Sequence, residues 1–435
     1  NSGGFFLNPE TRRIYYAPTE AELASFTSGA PPSVMAAGIK ELISSTNVSE
    51  VTFRDVTFQH AAVDWDDCLA GTCAAQSAAF LTSAALHWTL SSHVELHNVT
   101  VRRVGGYGVW FDDGVTDSLM DRCTVTDVGA GGVRIGPSAG GVAPAPARNV
   151  SVINSRLSDG GHVFREGCGV LMQAAHLCHV DHNAIDTFHY TGVSVGWTWN
   201  YVATSNGNNS VSFNLIENIG LSDLSDMGCV YHLGADPGTV INNNMCRNVS
   251  SYNYGGWAYY LDQASRWVRV TNNVAVDIKC AGFHQHYGLD NEVSNNIFVD
   301  VDAQGYNGAG AIRSSTHDSP GDEGDKSSFT FARNIVYWSK GPLFDGTTKL
   351  SFSNETFDDN VYFHSDGDES GVTFPCEDGS SATNCPLSTW RAHGQDVHSV
   401  VADPKLDLGT FALAPDSPAL ALGFKPIDTK SIGPQ

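Results

Sequence analysis

A short pattern recurs along the middle of the chain, in which a polar residue, most often asparagine, sits between β-branched or other apolar residues. It reads VELHNVTVRRV around Asn98, VSFNLIENI around Asn214 and VSNNIFVDV around Asn296. The copies follow one another at intervals of 23 to 38 residues and are centred on Asn98, Cys123, Asn154, Asn183, Asn214, Asn244, Asn273, Asn296 and Asn334. Alternating apolar positions without a sustained helical period predict strands. A repeat of this length built from strands and turns predicts a parallel β-helix in which each interval is one coil.

A second apolar element follows each copy, and we expect these elements to stack as one parallel sheet. They begin at Val109, Val133, Val170, Val193, Val230, Tyr259, Phe283 and Ile312. Asparagine suits the turn between two sheets because its side chain can bond nearby backbone and it tolerates the left-handed conformation. Stacked copies therefore predict a ladder of asparagine side chains along the axis.

Side chains alternate between the two faces of a strand, so the second and fourth residues of each element should face outward. The second column is Trp110, Arg134, Leu171, Ser194, Tyr231, Tyr260, His284 and Arg313. The fourth column includes Asp112, Gln173, Asp262, His286 and Ser315. Aromatic, carboxylate, imidazole and guanidinium groups on one face predict a binding groove.

Two further carboxylates precede strands of this sheet by the same offset: Glu166 lies four residues before Val170, and Asp226 lies four residues before Val230. Asp226 and Asp262 should therefore face one groove from adjacent coils. A carboxylate pair beside stacking aromatic rings meets the needs of glycosidic bond cleavage, with one acid and one nucleophile or base. A structural-turn or substrate-holding role is the alternative for the pair. We expect the substrate contacts to come from Tyr231, Tyr260, His284, His286, Trp197, Arg134 and Glu166.

Five stretches of the chain carry a resemblance to a known family. They are TDVGAGGVRIG (126–136), HYTGVSVGWTW (189–199), LSDMGCVYHLG (224–234), YGGWAYYLDQAS (254–265) and GFHQHYGLDNEVSNNIF (282–298). In this order they resemble the β-helix glycoside hydrolases of family 141, which include an α-L-fucosidase and a xylanase. The resemblance implies a right-handed parallel β-helix that acts on cell-wall type polysaccharide, with Asp226 and Asp262 as the catalytic pair. Gln263 departs from the family, which usually has glutamate after the aspartate.

Charge and cysteine content narrow the partners and the compartment. The 435 residues include 24 basic and 47 acidic side chains, and the net charge of −23 disfavours nucleic acid and anionic lipid. No apolar run is long enough for membrane insertion.

Close cysteine pairs, Cys68 with Cys73, Cys168 with Cys178 and Cys376 with Cys385, predict disulfides. Sequons at Asn47, Asn98, Asn149, Asn208, Asn248 and Asn354 predict glycosylation. We therefore expect a secreted chain. Asn1 begins without a leader pattern, so we expect a processed chain, a truncated chain or an internal starting point.

The organisation predicted along the chain has three parts: an N-terminal cap at residues 1–46, a β-helix with the catalytic groove at 47–360, and a C-terminal segment at 361–435 that folds back on the helix. The cap should contain a hairpin, FFLN with RIYYAP, and a short helix near Val34 to Ile43. No cofactor is expected. The carboxylates of DWDD (64–67) could hold a structural Ca²⁺, but solvated loop carboxylates are the commoner outcome.

Two alternatives to a hydrolase come from other classes. One is an inactive extracellular β-helix that binds glycans or assembles with other extracellular chains, consistent with Gln263 and the many sequons. The other is a polysaccharide lyase or epimerase, which needs a Lys, Arg or Tyr base and a group that neutralises an acidic sugar. Arg134 and Arg313 are the candidates for that neutralising role.

Overall fold

The computed structural model forms two compact units, Asn1–Gly38 and Ile39–Gln435. It describes residues 4–8, 10–29, 34–64, 75–138, 141–301, 311–315, 327–345, 348–367, 371–381 and 383–435.

The first unit contains the predicted hairpin, formed by the antiparallel strands Phe5–Asn8 and Arg13–Tyr16. The helix lies at Glu20–Thr27, not near residues 34–43, so the prediction of its position was wrong. Its start is fixed by a capping box in which the Thr19 side chain accepts from the Glu22 backbone and the Glu22 carboxylate accepts from the Thr19 backbone. This local signal decides where the helix begins.

The second unit contains three parallel sheets, and each coil of the chain contributes about one strand to each of them. The groove sheet contains Ile43–Thr46, Ala84–Thr89, Tyr107–Phe111, Val133–Ile135, Val170–Gln173, Val193–Gly196, Gly228–Leu233, Trp257–Leu261, Phe283–His286 and Ile312–Ser315. The second sheet contains Ser49–Arg54, Ser92–His97, Thr116–Asp121, Ala147–Ile153, Ala175–His176, His179–Asp181, Ser210–Ser212, Val240–Asn242, Arg269–Thr271, Asn291–Ser294, Phe329–Ala332 and Glu355–Asp358.

The third sheet contains Thr57–Ala61, Thr100–Val104, Thr124–Val128, Arg156–Gly160, Ala184–Phe188, Leu215–Ile219, Met245–Val249, Val274–Ile278, Ile297–Val301, Ile335–Trp338, Val361–His364 and Val400–Val401. Inward side chains of the three sheets form one hydrophobic core along the axis. The architecture is a right-handed parallel β-helix, as predicted. The strand Ile43–Thr46 already belongs to the groove sheet, although the sequence placed it in the N-terminal segment.

The groove sheet has the register that the sequence predicted. Arg134 is aligned with Trp110 and Leu171, and Tyr231 with Ser194 and Tyr260. His284 continues the column between Tyr260 and Arg313. The outward-facing column is therefore continuous over eight coils.

The predicted asparagine ladder runs through the turns between the second and third sheets. Its buried members are Asn183, Asn214, Asn244, Asn273, Asn296, Asn334 and Asn360. Asn214 is typical: its Nδ2 donates to the Val180 carbonyl at 2.7 Å, and its backbone N–H donates to Oδ1 of Asn244 at 3.0 Å.

Two predicted members of the ladder were placed one residue too early. Ser155 occupies the ladder position in its coil, because its Oγ accepts from the Cys123 backbone at 3.0 Å. In the coil before Cys123, Val99 occupies the ladder position, and its backbone N–H donates to the Cys123 sulfur. Asn98 and Asn154 instead fill the neighbouring left-handed turn position, with φ of 49° and 51°.

The C-terminal segment returns along the third sheet. It contains the helices Leu387–Ala392 and Pro418–Ala421 and the 3₁₀ turn Thr429–Ser431. Phe411, Ala419 and Phe424 pack against apolar side chains of that sheet. The Gly433 backbone N–H donates to the Phe213 carbonyl at 2.7 Å, so the chain end lies beside earlier coils.

Two disulfides are present among the described residues, Cys229–Cys246 and Cys376–Cys385. The second was predicted and the first was not. The prediction that Cys168 pairs with Cys178 was wrong: both are free thiols buried in the core. Cys68 and Cys73 lie outside the described residues. All six sequon asparagines are exposed. No helix in the described part of the chain has the length and hydropathy needed to span a membrane.

Candidate functional site

A cleft of about 320 Å³ lies over the groove sheet, where the coils of the SDMG, YLD and HQH motifs stack. It is lined by Trp199, Asp226, Tyr254, Trp257, Tyr260, Asp262, Gln263, His284, His286, Arg313 and Ser315. Carboxylates, imidazoles and aromatic rings therefore share one small space.

Asp226 enters the cleft from the turn that precedes its groove strand. The turn is held in place because the Asp226 backbone N–H donates to the Tyr254 carbonyl, and the Tyr190 hydroxyl donates to the Asp226 carbonyl at 2.7 Å. Its Oδ1 accepts from the Tyr260 hydroxyl at 3.2 Å. Burial, together with the nearby charge of Asp262, raises the pKa of Asp226 to about 6, while the Tyr260 hydrogen bond opposes the shift.

Asp262 follows the groove strand Trp257–Leu261 and is 6% exposed. Its backbone N–H donates to the His232 carbonyl at 2.8 Å. Its two carboxylate oxygens contact different partners: Oδ2 accepts from the Tyr231 hydroxyl at 2.5 Å, and Oδ1 lies 2.7 Å from Nδ1 of His286. The carboxylate is therefore fixed in orientation on both sides.

Tyr260 lines the cleft together with both carboxylates. Its hydroxyl donates to Asp226, and burial together with the negative charges of Asp262 and Asp226 raises its pKa well above the ordinary value. The ring stacks on His284 with centroids 4.7 Å apart and an interplanar angle of 6°. Asp226 and Asp262 thus line the same cleft, and the charge of Asp262 acts on Asp226.

The wall beyond Tyr260 is built from Trp257, His284 and Arg313. Burial lowers the pKa of His284 well below its ordinary value, and the Arg313 charge lowers it further, so this imidazole is neutral. Its Nε2 lies 3.1 Å from the Ser315 hydroxyl. Arg313 forms an ion pair of 3.4 Å with the buried Asp345, and its guanidinium lies 5.8 Å from the Trp257 ring centroid.

Five of the predicted site residues line this cleft: Asp226, Asp262, Tyr260, His284 and His286. Tyr231 lies behind it, because its side chain is fully buried and touches Asp262 instead of open space. Trp197 was predicted to contact substrate, but it is 5% exposed and packs edge-on against Trp199 at 4.9 Å. Of these two tryptophans it is Trp199, 45% exposed, that lines the cleft.

Arg134 is a correction to the predicted substrate contacts, and Glu166 lies apart from the cleft. Arg134 has no exposed surface, and its guanidinium donates to the Leu81 and Ala79 carbonyls, each at 2.7 Å, and to Gln173 at 2.7 Å. All of this is internal bonding, so the side chain is unavailable to a ligand. Glu166 is half-buried in a loop two coils earlier and does not line the cleft.

Sequence reasoning did not assign site roles to Tyr254, Trp257, Gln263 and Ser315, and it gave Arg313 a role only in the lyase or epimerase alternative. Arg313 and Ser315 belong to the two outward columns of the predicted sheet, so the strand register was enough to place them at the groove. Gln263 was noticed only as a departure from a family motif. Tyr254 and Trp257 precede the four-residue element: Tyr254 comes from the loop before the strand, and Trp257 is the first residue of the strand Trp257–Leu261.

Groups with the donor types of a metal site lie away from the cleft. Among the described residues, Asp127 with Asp159 and His162 forms one such group, and Asp358 with Asp359 and His398 forms the other; both are at the surface. Of the DWDD stretch, only Asp64 is described, and it lies 3.6 Å from Lys40. The other three residues lie outside the described part of the chain.

The stacked coils and their open cleft define the class as a right-handed parallel β-helix, and comparisons with known proteins agree. The family model for the right-handed β-helix region matches residues 84–220. No curated protein sequence matches this chain.

Solved structures with the same fold are similar at low identity. One described as a glycoside hydrolase has a TM-score of 0.58 at 18% identity, covering 68% of this chain and 56% of that chain. The complex of XylC with xylose has a TM-score of 0.46 at 13% identity, covering 82% and 53%. The PL6 family alginate lyase AlyGC has a TM-score of 0.46 at 12% identity, covering 89% and 55%. This chain thus spans little more than half the length of these structures, and the likeness concerns the fold.

Proposed function

We propose that this chain is a glycoside hydrolase in which Asp226 is the general acid and Asp262 is the base or nucleophile. The observation that carries the proposal is that both carboxylates line one aromatic cleft, where the charge of Asp262 helps to raise the pKa of Asp226. Two carboxyl groups in unlike environments are what acid and base roles in glycoside hydrolysis require. The resemblance to glycoside hydrolases of family 141 supports the same two residues.

The unlike surroundings of the pair suggest the division of roles. A pKa of about 6 keeps Asp226 protonated in mildly acidic solution, so it can donate a proton to the leaving glycosidic oxygen. Asp262 is held by Tyr231 and His286, which aim its carboxylate for attack on the sugar carbon or on a water molecule. The exposed ring of Trp199 provides a stacking surface for a sugar.

The alternatives are less well supported. A lyase or epimerase would need a cation free to neutralise an acidic sugar, but Arg134 is buried and Arg313 is paired with Asp345. An inactive glycan-binding protein would have little use for a buried carboxyl whose pKa is raised beside a second carboxylate. Gln263 lines the cleft, so its replacement of glutamate bears on specificity first.

The substrate we propose is a fucose- or xylose-containing polysaccharide outside the cytoplasm. Two disulfides are typical of an oxidising compartment. Six exposed sequon asparagines are consistent with a secreted glycoprotein. Mass spectrometry of the native protein tests this part: glycans on these asparagines are expected, and free thiols at Cys376 and Cys385 would contradict it.

The catalytic part is tested by Asp226→Asn and Asp262→Asn, assayed for sugar release from fucose-, xylose- and galactose-bearing polysaccharides. Each should lower turnover by about 10²- to 10⁴-fold, the usual contribution of such a group. Asp223→Asn and Asp290→Asn are matched controls, because both lie in neighbouring turns at the surface and pair with arginines outside the cleft. Near-normal rates in either cleft variant would refute the assignment.

A further inference from the structure

The groove sheet carries outward side chains along its length, but four coils before the cleft are covered. Their outward residues are almost fully buried: Trp110 is 3% exposed, Ser194 is 1% exposed, and Arg134 and Leu171 are not exposed. Over these coils, hydrogen bonds to residues 77–81 show that another segment of the chain lies on the groove. The groove is therefore filled on this side of the cleft.

The cover includes residues 76–81, which we call the strap; it begins with the 3₁₀ turn Gln76–Ala78. The strap extends over several coils, because the Ser77 hydroxyl lies 3.4 Å from that of Ser194 while the Ser77 carbonyl accepts from the Tyr107 hydroxyl at 2.6 Å.

The buried guanidinium of Arg134 holds the later part of the strap. It donates to the carbonyls of Ala79 and Leu81, each at 2.7 Å. Hydrogen bonds from a buried charged group are strong and costly to break, so the strap is a fixed wall of the groove.

The first residue of the strap lies near the turn that carries Asp226. Nε2 of Gln76 donates to the Tyr190 hydroxyl at 2.7 Å, and that hydroxyl donates to the carbonyl of Asp226 at 2.7 Å. One tyrosine side chain thus connects the strap to the turn that carries the general acid. In the other direction the cleft continues past Asp262 to Arg313 and Ser315, two coils away, which is about 10 Å at the usual strand spacing.

We propose that the strap makes the cleft a blind pocket that binds the end of a glycan chain, so that the enzyme removes terminal sugars. This inference rests on the proposed function. Cleavage inside a polysaccharide requires sugar rings bound on both sides of the carboxylate pair, and the strap occupies one of those sides. The volume of about 320 Å³ suits a short ligand, since ligand pockets span about 300 to 1,000 Å³. The rest of the glycan leaves over His286, Arg313 and Ser315.

The first test follows products from the intact protein. The substrates are linear di- to hexasaccharides of xylose and oligosaccharides that end in fucose or galactose. Each is supplied in three forms: uncapped, with a blocked non-reducing end, or with a reduced reducing end. Mass spectrometry should show stepwise loss of terminal units, and one of the two caps should abolish it. Mixed internal fragments, a rapid fall in polysaccharide viscosity, or indifference to both caps would overturn the proposal.

The second test is independent of turnover. The Asp226→Asn variant is titrated calorimetrically with the same di- to hexasaccharides, capped and uncapped. Affinity should stop rising after two or three units, and one cap should weaken binding about tenfold or more. Affinity that rises through the hexasaccharide, equal binding of all capped forms, or no binding would overturn the blind pocket. End-dependent binding with no turnover in the intact protein would instead refute hydrolysis and leave the pocket standing.

Discussion

The hydroxyl of Tyr231 donates a 2.5 Å hydrogen bond to Oδ2 of Asp262, although the tyrosine itself has no exposed surface. Tyr231 occupies the outward column one coil before Tyr260, so the stacking of coils places it directly behind the carboxylate. It is therefore a positioning residue: it can orient the base without contacting the sugar.

We predict that Tyr231→Phe lowers kcat by roughly 10- to 100-fold, because a hydrogen bond to a charged group contributes about 1.5 to 3 kcal/mol. KM should change little, since the hydroxyl does not face the cleft. Tyr259→Phe is the matched control, because its equally buried hydroxyl bonds the carbonyls of Asn244 and Val274 in the core. Equal losses of kcat in the two variants would contradict a positioning role.

The pH dependence of catalysis should reflect the Asp226 carboxyl. With a pKa of about 6, the acid is protonated below that pH and loses its proton above it, so kcat/KM should fall above pH 6 by about tenfold per pH unit. The measurement is a pH profile of kcat/KM on a substrate identified in the activity screen.

Tyr260→Phe should shift the pH at which kcat/KM begins to fall, which is the alkaline limb of the profile. The hydrogen bond from Tyr260 favours the ionised form of Asp226, so its removal raises the pKa and shifts the limb to higher pH. Tyr259→Phe, on the core-facing side of the same strand, should leave the limb in place. A limb that does not move in Tyr260→Phe would mean that another group titrates in the profile.

The fold and the strand register could be predicted because both rest on local patterns. Outward positions alternate strictly along a strand, and coils stack without slipping when the inward positions are apolar. This is why the amino-acid pattern alone is enough to place Tyr260, His284 and Arg313 in one column. The same logic places Asp262 beside His286.

What could not be predicted is which outward residues are open to solvent. Arg134 satisfies the pattern for a groove residue, but the strap, which comes from residues 76–81 and covers distant coils, buries it. Trp197 and Trp199 differ in exposure because of one loop conformation. The error at Asn154 has a local cause: asparagine suits both the ladder position and the left-handed turn beside it, so two adjacent positions compete for the same residue type.

Adjacent asparagines should therefore differ sharply in their contribution to stability. Asn244→Leu removes the acceptor for the Asn214 backbone N–H and the donor to the Val211 carbonyl, both in buried surroundings. With about 1 to 3 kcal/mol for each unsatisfied group, the free energy of unfolding should fall by roughly 2 to 5 kcal/mol. The neighbouring Asn243, at φ 55°, should tolerate glycine, because there the backbone conformation matters more. Urea unfolding of Asn244→Leu and Asn243→Gly checks this contrast, and similar losses would refute it.

Glu355 lies in the second sheet and follows the cleft residues in the sequence. We expect its carboxyl group to make the stability of the whole fold depend on pH. It is 1% exposed, and its carboxylate accepts hydrogen bonds from the Ser314 hydroxyl at 3.1 Å and the Ser351 backbone at 2.5 Å. Burial raises its pKa from 4.5 to about 7, in spite of these hydrogen bonds. Between these values the unfolded chain has released the proton and the folded chain has kept it. The unfolded state therefore binds fewer protons in this window, and the stabilising effect present below pH 4.5 is lost as the pH rises through 7.

At about 1.4 kcal/mol per pH unit, the loss over that window is on the order of 3 kcal/mol. Glu355→Gln cannot ionise, so relative to the parent protein it should gain free energy of unfolding steadily between pH 4.5 and 7 and level off above. Glu95→Gln on a partly exposed face is the control for removing one negative charge. Denaturant unfolding of the three proteins at several pH values in this range measures the differences. A constant difference between Glu355→Gln and the parent would show that this carboxyl is ionised throughout the range.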